Sequence, residues 1–133
     1  EPDRDTILEH GELITAVELP APPTGAVSDY RKVRDRASYA FALVSVAAEL
    51  TFTSTFQIGS ARIALGGVAH KPWRARRAEQ ALAGDQPSAE SFAAAADAEL
   101  RQAQPLPGNE FKVDLARRTL IAQLRMLTER RRP

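Results

Sequence analysis

Phe41-Ala-Leu-Val-Ser-Val-Ala-Ala-Glu-Leu-Thr-Phe-Thr53 is the most apolar stretch of the chain, and Phe56-Gln-Ile-Gly-Ser-Ala-Arg-Ile-Ala-Leu-Gly-Gly-Val68 follows it across a short polar turn at Ser54 and Thr55. β-Branched and aromatic residues dominate the first segment, although Ala47-Ala48 would also suit a helix, and Ile58, Ile63, Leu65 and Val68 alternate loosely in the second. The pair reads as a long antiparallel hairpin. Gly66-Gly67 reads as a close packing point or bulge rather than a phosphate cradle, because no Lys-Ser or Lys-Thr follows it and no GxGxxG frame surrounds it.

Upstream of the hairpin, Glu12-Leu-Ile-Thr-Ala-Val-Glu-Leu19 is rich in apolar and β-branched residues and is closed by Pro20, which predicts a first strand. Pro22, Pro23 and Gly25 break the ladder. A short strand is expected to begin near Ser28, with Tyr30, Lys32 and Arg34 on one face and Val33 on the other. Downstream the period changes. Pro72 suits a first helical turn, Ala75, Ala78 and Leu82 recur at spacings of three and four, and Gly84 sits where a left-handed cap belongs. Ser88 predicts the N-cap of a second helix carrying the stripe Phe92, Ala96, Leu100 and Ala103, ended by Pro105-Leu-Pro-Gly108. The last helix is the clearest: Val113, Ala116, Leu120, Leu124 and Leu127 mark its buried stripe, widened by Phe111, Leu115 and Ile121.

The chain has 133 residues, 44% apolar and 26% charged, which predicts one folded domain rather than a disordered tail. Its apolar runs are far shorter than the roughly 20 residues a helical membrane span requires. It has no cysteine, which excludes disulfides and iron–sulfur ligation within these residues, and His10 and His70 make a poor metal set. A net charge of +1 is too small for a bulk nucleic-acid field. The distribution is polarised, with five acids against one arginine in residues 1–12 and six arginines against one glutamate in residues 117–132, so the two ends are expected to attract. No catalytic cluster is evident: there is no GxSxG, HExxH or Walker lysine. His70 reads as a loop or capping residue rather than a catalyst, and Trp73 beside Arg74 and Arg76 as an indole stacked on arginine that pins a helix start. The residues alone therefore lead to an α+β domain and no further.

Four segments in order, Gly11–Pro20, Tyr30–Ala48, Ala61–Arg74 and the helix Phe111–Leu127, resemble the C-terminal domain of the FAD-binding medium subunit of molybdenum hydroxylases, the xanthine dehydrogenase and carbon monoxide dehydrogenase family. The likeness covers almost the whole chain and is nearest the aldehyde-oxidising branch. It implies an α+β fold, a three-stranded antiparallel sheet packed on three helices. It also implies a division into a lead-in and first strand over residues 1–27, joining to FAD lobes that lie elsewhere, and the domain proper over residues 28–133.

The resemblance implies cofactor contacts at Ile14 and Lys32, with Arg31 as the alternative owner of the basic contact. FAD would be held mainly by the N-terminal lobes, so this domain is expected neither to retain it well alone nor to be catalytic alone. The molybdenum cofactor and iron–sulfur clusters would reside in partner subunits, a large and a small one. The implied reaction is hydroxylation of an aldehyde or N-heterocycle, with electrons passing through the clusters to FAD. A cytoplasmic setting is expected, or a periplasmic one through a partner's export signal, and Glu1 in place of Met suggests a processed or excised piece. The competing expectation is a free-standing, non-catalytic interaction or assembly module; a weak nucleic-acid binder using Arg130–Arg132 is a third.

Overall fold

The computed structural model describes residues 6–37 and 39–131. Four antiparallel strands lie in sequence order, β1 (Val27–Val33), β2 (Val44–Phe52), β3 (Ile58–Gly66) and the two-residue β4 (Trp73–Arg74). Three helices follow: α1 (Arg76–Leu82), α2 (Ala89–Leu100) and α3 (Phe111–Arg131). The sheet buries one face beneath the helices, α3 over β1 and β2 and α1 over β3, while α2 packs against α1 and α3. The α+β architecture expected from the sequence is the one observed, with β4 as an added edge strand.

Period-two alternation decides which side chains enter the core. Val46, Ala48 and Leu50 of β2 and Ile58, Ala61, Ile63 and Leu65 of β3 meet Leu82, Phe92, Leu120, Leu124 and Leu127 of the helices in one buried cluster. Each fully buried leucine or isoleucine contributes about 1.5–3 kcal/mol. The opposite set, Ser45, Ala47, Glu49 and Thr51 with Ser60, Arg62, Ala64 and Gly66, faces away from the helices. Gly66-Gly67 is indeed a close packing point: a Cβ on Gly67, whose φ is +75°, would stand 2.7 Å from the Leu43 carbonyl oxygen.

Three expectations are corrected. Residues 12–19 form no strand; they join no ladder among the described residues, with Leu13 82%, Val17 77% and Leu19 84% exposed. A strand requires a ladder partner as well as a suitable pattern, and Pro20, Pro22 and Pro23 keep this segment from folding back as a hairpin on β1. The central hairpin begins at Val44, not Phe41: Leu43 N–H closes it on Val33 O at 2.9 Å, and Phe41 is 98% exposed in the connection. The first helix begins at Arg76. Pro72 lies outside it, because Trp73 and Arg74 continue extended and pair with Leu65 and Ala64.

Helix α2 ends at Leu100, so Ala103 of the expected stripe lies beyond it and is exposed, and Phe111, at the first turn of α3, is 53% exposed rather than part of its buried stripe. The capping signals fold as read. Gly84 leaves α1 at φ +83° and donates to Ile58 O at 2.8 Å. Ser88 caps α2, accepting from Ser91 N–H at 3.1 Å while Ser91 Oγ accepts from Ser88 N–H, and this reciprocal pair satisfies two end donors. Arg117 of α3 holds Asp97 of α2 in a two-bond fork at 2.6 and 3.1 Å, which keeps the Asp97 carboxyl below its usual range. The basic end of α3 reaches β1, where Arg130 lies 3.4 Å from Asp29.

Candidate functional site

The uncovered face of the sheet is built by register. One row runs Tyr30, Ala47, Ala64, Arg74 across the four strands, and the rows beside it run Lys32, Ser45, Gly66 and Ser28, Glu49, Arg62. Small side chains in the middle of β2 and β3 therefore make a floor, and Tyr30, Arg62 and Arg74 stand around it, enclosing a shallow depression of about 490 Å³. Arg62 lies 3.6 Å from Glu49, close enough for ion pairing but too far for a hydrogen bond, so Glu49 Oε1 is buried without a hydrogen-bond donor.

Arg31 and Lys32 part company at this point. Alternation along β1 turns Arg31 to the helix side, half-buried, where its Nε donates to Gln123 Oε1 of α3 at 3.2 Å. Gln123 is fully buried and its Nε2 finds no acceptor, so Arg31 satisfies one end of an otherwise costly amide. Lys32 points to the uncovered face, exposed, with no ion pair among the described residues. Ile14 lies on the lead-in, outside the sheet, 63% exposed. The structure thus sets two of the three predicted site residues on open surface and ties the third into the fold.

Two carboxylates that the sequence analysis passed over fix the opposite end of the sheet. Glu99 of α2, 8% exposed, accepts from Trp73 Nε1 at 2.8 Å and from the backbone N–H groups of Arg77 at 2.9 Å and Ala78 at 3.1 Å. It therefore caps α1, whose own N-cap Ala75 has no side chain for the purpose. What pins this helix start is a carboxylate clamp, not the expected arginine stack. Glu79 of α1 accepts from Ile63 N–H at 2.7 Å, serving a β3 donor that the two-residue β4 does not reach. It also forks onto Arg74, and that hydrogen bond holds the guanidinium above its ordinary range. The legible signal was Glu99 three residues after Ala96, an acid beside the apolar stripe of α2.

The described residues hold no group of three or more His, Cys, Asp or Glu that could bind a metal, and no described helix is long and apolar enough to cross a membrane. Residues 28–126 match the model of the CO dehydrogenase flavoprotein C-terminal domain. The chain belongs to that family. It is 50% identical over 123 residues, 92% of its length, to the aldehyde oxidoreductase FAD-binding subunit PaoB of Escherichia coli K12, and 34% identical over 96 residues, 70% of its length, to the carbon monoxide dehydrogenase medium chain of Afipia carboxidovorans. It spans 35% and 33% of those two relatives. Its fold superimposes on a chain of reconstituted CO dehydrogenase from Oligotropha carboxidovorans with a TM-score of 0.83 at 28% identity, covering 94% of this chain and 44% of that one. In this CO dehydrogenase flavoprotein C-terminal fold, then, the described surface offers one uncovered sheet face and one extended lead-in that joins no strand ladder among the described residues.

Proposed function

We propose that the chain is the C-terminal domain of the FAD-binding subunit of a molybdenum-dependent oxidoreductase of aldehydes or N-heterocycles. In that reading the uncovered sheet face closes the flavin site contributed by the remainder of the subunit. A large molybdenum-cofactor subunit and a small iron–sulfur subunit supply the electrons, and a cytoplasmic or periplasmic enzyme fits equally. The family and the FAD-binding relatives support it. The observation that carries the residue assignment is the turn of β1 that leaves Lys32 exposed, with no ion pair among the described residues, while Arg31 is held by Gln123.

The residues present fit the edge of a flavin and not its phosphates. Lys32, in no ion pair among the described residues, stands beside Ser45 and next to Tyr30 on the same face. Its ammonium can donate to a ring carbonyl and favour added negative charge on the ring. Ile14, on the lead-in, can exclude water from an apolar ring edge. Gly66-Gly67, by contrast, is filled, Gly66 against the Ser45 side chain and Gly67 against the backbone of Ala42 and Leu43, and so is no phosphate cradle. Bound FAD supplies a carrier that takes two electrons and releases them singly or together. What these residues do is position it, screen it and bias its charge.

The test is made in the complete subunit. Lys32→Ala should lower FAD retention or shift the flavin reduction potential with the melting temperature unchanged. Arg31→Ala should lower the melting temperature and leave the flavin potential where it was. Unaltered flavin content and potential in Lys32→Ala would overturn the assignment.

A further inference from the structure

On the helix side of the molecule, opposite the sheet face that carries Lys32, a cleft of about 360 Å³ opens where the end of β3, the end of α2 and the first turns of α3 converge. That is the size of a pocket for a small organic molecule. Its floor is apolar, from Leu65, Leu100, Val113 and Ala116, and Trp73 stands as one wall, half exposed. The indole is held in place by the Glu99 carboxylate, so the wall is prearranged. Two cations line the same cleft. Lys112 Nζ donates to Gly67 O at 3.0 Å and Arg77 donates to Gln102 Oε1 at 2.7 Å.

Both acceptors are neutral, and neither cation is in an ion pair among the described residues. Glu99, the one carboxylate at the cleft, already accepts three hydrogen bonds. A flat aromatic wall, an apolar floor and two cations against the single Glu99 carboxylate, a net positive lining, form a complementary surface for a ring that bears a negative charge. We infer that this cleft binds a small aromatic carboxylate, the ring against Trp73 and the carboxylate between Arg77 and Lys112. An arginine fork and a lysine ammonium are the side chains suited to a planar carboxylate. The inference does not depend on the flavin reading, since the cleft and Lys32 lie on opposite faces of the sheet.

Trp73 is the single tryptophan, so its emission reports the cleft directly. Benzoate titrated into the 133-residue chain should change that emission saturably, with half-saturation at or below about 1 mM. Arg77→Ala and Lys112→Ala, both at exposed or half-exposed positions, should keep the fold by circular dichroism and weaken binding about tenfold each, and benzamide in place of benzoate should bind about tenfold more weakly. Ala103→Phe, which fills the mouth from an exposed position, should abolish the response. A linear, unsaturating response would overturn the inference, as would equal affinity for benzamide, equal affinity for acetate, or indifference to both cation substitutions.

Discussion

Residues 6–26 and residues 44–131 carry similar apolar side chains and meet opposite fates. In the second region Leu50, Ile58, Leu120 and Leu124 are sealed from water, whereas in the first Ile7, Leu13, Val17 and Leu19 are all more than three-quarters exposed. The difference is one of supply. Helices α1 to α3 give the sheet a cover within the chain, but among the described residues no sheet or helix covers Leu13, Val17 or Leu19 of the lead-in. An apolar pattern states that a segment needs covering; it does not state that the same chain provides the cover.

The sharpest way to break this contrast is to damage the covered region. Leu124→Asp places a charge where no water reaches, and Leu120→Asp does the same one turn earlier, so either should abolish the cooperative melting transition. A folded Leu124→Asp chain would mean that α3 is not the lid of the core. A smaller effect is expected at the clamp. Glu99→Ala strands the Trp73 indole N–H and two α1 donors, and should cost about 3 kcal/mol in chemical denaturation, with Glu99→Gln recovering part of it. The smallest effect belongs to the lead-in: Leu13→Ser with Val17→Ser should change the stability of this chain by less than about 0.5 kcal/mol. A clear loss there would show that the lead-in is packed after all, and the contrast would fail.

Legibility in the sequence follows the same division. Helix α3 could be read because its stripe at spacings of three and four is matched by its own cover, and Ala116, Leu120, Leu124 and Leu127 are all buried. The hairpin could be read because its two strands are each other's partners. The supposed strand at residues 12–19 has an equally good pattern, and what distinguishes it is that it finds no ladder partner among the described residues. Pro72 misled for a related reason: proline suits the first turn of a helix and also the approach to an edge strand, and the choice fell to Leu65, which pairs with Trp73.

At the candidate site, spacing along β1 set Tyr30 and Lys32 together on a face turned away from the core, as observed, but did not give the fate of Arg31 on the other face. That required α3 to bring Gln123 to Arg31. Glu99 was hidden because a lone acid on an amphipathic helix resembles any solvated charge until a second helix presents bare N–H groups to it.

β1 has a sheet neighbour on one side only. Its outer flank is a column of amide hydrogens and carbonyl oxygens to which another extended chain can add, the usual starting point for edge-to-edge self-association. Lysine on such a flank acts as a deterrent, because the next molecule brings the same positive charge to the junction. Lys32 would thus have a second duty as a guard against stacking. Its removal would leave the lone domain prone to concentration-dependent oligomers even if every flavin measurement came out as hoped.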